Sequence, residues 1–124
     1  MRYRQLQQVV LSSFGEERSA ASLLTAWSSF VDECEQGYSW DVSEYRNELG
    51  VRAQIELIVV AKSLNGFGEH QQFLDNVESV DSRFRANAHP TWTFSFGQAW
   101  WEKAVPENGV GESAEGYLQY GVRD

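Results

Sequence analysis

The residues best able to do chemistry in this sequence are acids, and they concentrate between positions 32 and 56. Asp32, Glu33, Glu35, Asp41, Glu44, Glu48 and Glu56 stand there against only Arg46 and Arg52, a local balance of −5. Carboxylates gathered in this way have two uses. They form a solvated face that keeps a small protein in solution. Alternatively, they present a negative surface that steers a cationic patch of another protein into contact and occludes it. In the second reading Asp32, Glu33, Glu35, Asp41, Glu44 and Glu48 are the recognition residues. Tyr38 and Trp40 beside them are the anchors, because aromatic side chains dominate interface hot spots. Against that, both aromatics can simply close the core around a turn.

Other constellations carry less. His70 with Asp75, or His89 with nearby acids, lacks metal-ligand spacing, and two histidines without a cysteine pair do not make a structural zinc site. Asp32 and Glu35 share one helix face, which alone indicates no glycoside chemistry. Asn65-Gly-Phe-Gly-Glu69 is too short and too aromatic for a phosphate loop. Trp92, Trp100 and Trp101 could stack a sugar or a base, although aromatics this dense are more often packing material. No serine has a histidine at a readable distance. The sequence therefore assigns no catalytic residue, no metal and no cofactor.

The elements that must position the acids read as helices. Leu23, Leu24, Trp27, Phe30, Val31 and Cys34 recur at three- and four-residue steps, one stripe of a helix over 22–37. Ser22 suits its N-cap, and Gly37 stands where helices stop in a left-handed residue. Arg4 to Phe14 forms an earlier helix with Leu6, Val9, Val10 and Phe14 inward, stopped by Gly15. Asp41 or Ser43 caps a short helix to Leu49, with Tyr45 and Leu49 inward, and Gly50 breaks or bends the path. A further helix, Val51 to Ser63, places Val51, Ile55, Ile58, Val59 and Lys62 on one stripe widened by Leu57 and Val60. Its run of β-branched residues resembles a strand, but its flanks favour helix. Phe73, Val77, Val80 and Phe84 keep the 4-3-4 spacing of a heptad seam in a helix over 69–88, ended by Pro90. Beyond it, Thr91 to Phe96 alternates polar and aromatic residues like a half-buried strand. It either pairs with a weak strand at Tyr117 to Val122 or lies as an extended strap along the helices, the reading preferred here.

Composition bounds the answer. The 124 residues include 42% hydrophobic ones and five Trp, enough for one domain with a real core. The net charge of −8 disfavours nucleic acid as a partner, since phosphate binding needs a basic stripe. Cys34, the single cysteine, has no internal partner and sits on the apolar stripe as a small hydrophobe. No apolar leader or membrane-length run is visible, so a cytoplasmic, membrane-free protein is expected.

Two resemblances extend this reading. The pattern Leu24-x-x-Trp27-x-x-Phe30-Val31-x-Glu33-x-Glu35-x-Gly37-Tyr38, then Tyr45-x-Asn47-x-Leu49-x-Val51-Arg52, Asp81-x-Arg83-Phe84-Arg85 and Trp100-Trp101 before Pro106, resembles small, acidic, helical bacterial proteins of uncharacterised function. It spans roughly residues 22 to 106 and implies a helical fold and a bacterial source. Separately, Arg83 followed by His89 late in a helical bundle resembles the motif of the HEPN ribonucleases. In that family His acts as general acid/base and Arg stabilises the phosphate. Here Phe84 stands where that family favours a polar residue, and Pro90 follows His89. The plainer reading is that Arg83, Arg85 and His89 complement the dipole at a helix C-terminus.

These readings lead to one mainly α domain over 1–124. A four- to five-helix bundle occupies 1–89, and an aromatic, largely irregular segment with a short β-hairpin as its alternative occupies 90–124. The expected function is non-enzymatic binding of a protein with a basic surface, of the immunity or antitoxin kind. A HEPN-like ribonuclease using Arg83 and His89, and a small structural or regulatory homo-oligomer, are the alternatives.

Overall fold

Helix dominates the chain, in the arrangement that the apolar stripes demand. The computed structural model describes residues 2–37, 39–40, 42–93, 99–106 and 110–111. Five helices appear among them: α1 (Tyr3–Ser12), α2 (Ala20–Gln36), α3 (Val42–Val59), α4 (Gly68–Ala86) and the single turn α5 (Trp100–Lys103), with a 3-10 turn at Lys62–Leu64. None of the described helices is long and apolar enough to cross a membrane.

The helix α2 is the hub. Its stripe of Leu23, Trp27, Phe30, Val31 and Cys34 is buried, and it packs against α1, α3 and α4. Ser19, not Ser22, caps it: the Ser19 hydroxyl accepts the Ser22 N–H at 3.1 Å. At the other end Gly37 takes a φ of 94°, a left-handed conformation that costs glycine little. The α4 seam is buried as its spacing requires, with Phe73, Val77, Val80 and Phe84 all inward. Phe84 meets Trp27 at a ring distance of 4.9 Å, and Trp27 stacks on Phe30 at 5.7 Å.

Three expectations are corrected. Gly50 neither breaks nor bends the chain, because α3 runs through it without interruption. Tyr45, Leu49, Ile55 and Ile58 are all buried, so packing on both sides of Gly50 outweighs a propensity penalty of about 1 kcal/mol. In α1 the buried residues are Tyr3, Gln7 and Leu11, whereas Val9 and Phe14 are exposed. The third concerns the end of α3, where Val60 and Lys62 face solvent, because the helix stops at Val59.

The segment after α4 is partly sheet. Strand β2 (Ala88–Thr93) pairs antiparallel with β3 (Ala104–Pro106), with a register shift between the Ala88–Pro106 and Thr93–Ala104 partners. The strand thus begins before Pro90 and finds its partner just after α5. The Tyr117–Val122 candidate and Phe94 to Phe96 lie outside the described residues. A second short pairing is parallel: β1 (Ser39–Trp40) beside β4 (Val110–Gly111). The Tyr45 hydroxyl donates to the Ala104 carbonyl at 2.8 Å and ties β3 to α3.

Gly50 offers a direct check on the continuity of α3. It is exposed, and a Cβ built there meets nothing within 4 Å. Gly50→Ala is expected to stabilise the fold by about 0.5–1 kcal/mol, chiefly by reducing the freedom of the unfolded chain. Thermal denaturation should show a higher midpoint, and a lower one would mean that α3 is broken at this position.

Candidate functional site

The end of α2 and the start of α3 carry the acids. Asp32, Glu33 and Glu35 are exposed while Cys34 between them is buried. On α3, Glu44 is exposed and Glu48 half-buried. Burial pushes the Glu48 carboxyl above the usual range, and Glu33 across the helix pair raises it further. Arg18 opposes that shift, and Glu44 adds a smaller upward push. The Cys34 thiol is pushed up to about 12, first by burial and then by Glu33, Glu48 and Glu35. It is therefore an inert core thiol, and Glu33, Glu44 and Glu48 share one field of like charge across two helices.

Asp32 and Glu35 belong to a different environment. The Arg83 guanidinium, reaching over from α4, donates to both carboxylates. This bonding holds the Glu35 carboxyl below its usual range and raises Arg83 further above its own. Within the acidic belt, Asp32 and Glu35 are thus neutralised from within by Arg83. Trp40 contributes backbone to the β1–β4 pairing, and Tyr38 and Asp41 lie outside the described residues.

Arg83 and His89, the pair read as ribonuclease-like, fall on different elements, α4 and β2. Arg83 is engaged by the α2 acids, and its carbonyl accepts the Asn87 side-chain amide at 2.9 Å. Arg85 lies 4.0 Å from the Trp100 ring centroid and 3.3 Å from Glu78. Both arginines sit in the last turn of α4, where positive charge complements the exposed carbonyls.

A buried polar cluster that sequence reasoning missed joins α2, α3, α4 and α5. The Asp81 carboxylate receives Arg52 Nε and Nη2, each at 2.9 Å, and Trp27 Nε1 at 3.0 Å. Arg52 also donates to Glu56 at 2.9 Å and lies 4.5 Å from the Trp101 ring centroid. Arg52 and Asp81 are only 4% and 2% exposed. Burial, the largest influence on Arg52, works against its charge, but bonding to Asp81 and then Glu56 outweighs it and holds the group protonated. With three donors already on Asp81, the cluster is built to hold helices together rather than to exchange protons. A signal was present: Arg52 falls in the inward series Tyr45, Leu49, Ile55, Ile58, and Asp81 lies one turn after Val77.

Among the described residues, no three His, Cys, Asp or Glu side chains gather as metal ligands. An open groove between α2 and α4, lined by Leu24, Thr25, Ser28, Ser29, Asn76 and Ser79, carries no ionisable group. No protein-family model, no curated protein and no solved structure matches the chain.

Proposed function

We propose that this chain is a non-enzymatic protein-binding domain of the immunity or antitoxin kind, which uses the acidic ends of α2 and α3 against a basic partner. One observation carries the reading: Asp32, Glu33 and Glu35 at the end of α2 and Glu44 near the start of α3 all have exposed side chains, and α3 packs against α2. Like charges held together in this way work against folding, and a cationic surface relieves them on binding. Glu33 and Glu35 also stand in the last turn of α2, which has no basic residue and where negative charge opposes the helix dipole. The resemblance to small acidic bacterial proteins supports a bacterial source. Engagement of Arg83 by Asp32 and Glu35 leaves its guanidinium less available to a phosphate.

Charge reversal separates recognition from mere solvation. The variant Glu33→Lys with Glu48→Lys is expected to fold at least as stably as the parent. It should associate at least tenfold more slowly with a basic protein recovered from the source organism's lysate. The parent's association rate should itself fall with salt, as the Debye length shortens from about 30 Å at 0.01 M to about 10 Å at 0.1 M. An acidic partner, or unchanged association by the variant, would reduce the face to a solubilising one. Cleavage of RNA by the parent that disappears in both Arg83→Ala and His89→Ala would replace this proposal with the ribonuclease reading.

A further inference from the structure

Helix α1 is held to the bundle by three buried residues, Tyr3, Gln7 and Leu11. The Tyr3 ring lies 5.5 Å from Phe67 and 5.7 Å from His70, edge-on to the latter. Its hydroxyl is 2.7 Å from His70 Nδ1, and the buried Gln7 lies one turn along the same helix. His70 is 2% exposed, and its Nε2 has no hydrogen-bond partner among the described residues. Arg2 at the N-cap of α1, Arg4 on it, Lys62 of the 3-10 turn and Glu69 next to His70 on α4 all have exposed side chains, and Glu69 opposes ionisation of Tyr3. The other charged residues of α4, from Asp75 to Arg85, lie further along the helix. Glu56 of α3 is committed to Arg52. Among the described residues no carboxylate is within hydrogen-bond reach of Nε2.

We infer that the Tyr3–His70 contact is an acid-released latch for α1, closed while His70 is neutral and opened by its protonation. A neutral ring with its proton on Nε2 accepts the Tyr3 hydroxyl at Nδ1. An imidazolium has two donors. The Tyr3 hydroxyl must then turn to accept, and the charged Nε2–H is left buried without an acceptor, which is costly. Releasing α1 exposes the ring to water and removes that cost. A freed helix of ten residues is too short to persist alone, so unlatching also melts it. It uncovers Tyr3 and Leu11, together with the half-buried Leu6 and Val10.

The sign follows from linkage. Burial lowers the His70 pKa in the latched state, so the latched protein binds fewer protons than the released one. Latching is complete above the unperturbed value of about 6.5 and weakens as pH falls below it, by at most about tenfold per pH unit. Hydrogen–deuterium exchange on the full chain from pH 7.5 to 5.0, corrected for intrinsic exchange, tests this. Amides of α1 are expected to lose protection about fivefold between pH 6.5 and 5.5, while α2 and α4 amides keep theirs. His70→Phe and His70→Gln should both abolish the difference. Should neither variant fold, the His70 ring titration in the parent, assigned with His89→Gln, must track α1 opening. Loss of protection shared equally by α2 and α4, an unchanged α1, or pH dependence surviving in the His70 variants would overturn the latch.

Discussion

Asp81→Ala is expected to destabilise the fold by about 3–5 kcal/mol, the range for removing one partner of a buried ion pair. The substitution leaves Arg52 charged in a site where it is 4% exposed and strips the Trp27 indole of its acceptor. Glu56, the remaining partner of Arg52, is half-exposed and bonds a different nitrogen, so it does not replace the two bonds that Asp81 accepts. Since domains of this size are stable by about 5–15 kcal/mol in total, the loss takes a large share of the margin. Urea unfolding measures it directly. Asp81→Asn, which keeps the shape and removes the charge, should also destabilise strongly. A parent-like midpoint for both would mean that Arg52 has an outlet to solvent and that the cluster is not closed.

Trp27→Ala should cost a similar amount, about 3–5 kcal/mol, for a different reason. Trp27 is fully buried at the meeting point of α2 and α4, with rings of Phe30 and Phe84 against it. Truncation loses the apolar burial and leaves a cavity between helices that close only in part. Trp27→Phe keeps most of the contact but loses the indole N–H, so it should cost less, about 1–3 kcal/mol for the lost bond to an Asp81 oxygen that keeps Arg52 Nε, and for reduced filling. A double cycle of Trp27→Phe with Asp81→Ala should be non-additive, because both variants remove the Trp27–Asp81 hydrogen bond. Trp27→Ala unfolding at the parent's urea midpoint would contradict the packing described for α2.

The helices were legible where apolar residues alone set the phase. The stripe from Leu23 to Cys34 and the seam from Phe73 to Phe84 are buried as their spacing implies, and Gly37 ends α2 as its type implies. Errors arose where polar residues face inward or where one local rule met long-range packing. Gln7 faces inward although glutamine usually faces water, and a stripe of Leu6, Val9, Val10 and Phe14 therefore gives the wrong phase for α1. Ser22 looked like a cap because it is serine, yet its N–H is the group that Ser19 caps. Gly50 looked like a break because glycine weakens helices, but the apolar residues flanking it decide the outcome. The candidate site was legible as a list of acids and not as an arrangement. Nothing local announces that Arg83, 48 residues beyond Glu35, reaches two of those acids. In the sequence Arg52 stands out only as a charge opposing the acidic belt or within the resemblance pattern, and Asp81 only within that pattern, because nothing local marks the two as a buried pair.

The closed Trp27–Arg52–Asp81 cluster also constrains how the sequence can drift. Replacing Arg52 alone leaves Asp81 buried with one donor, and replacing Asp81 alone leaves a buried cation. Replacing both with apolar residues leaves the Trp27 N–H without an acceptor. Each intermediate sequence is less stable than either end point, an arrangement geneticists describe as a fitness valley. Three positions on three helices are therefore expected to change together or not at all, while exposed acids such as Glu33 remain free to vary with whatever surface they meet.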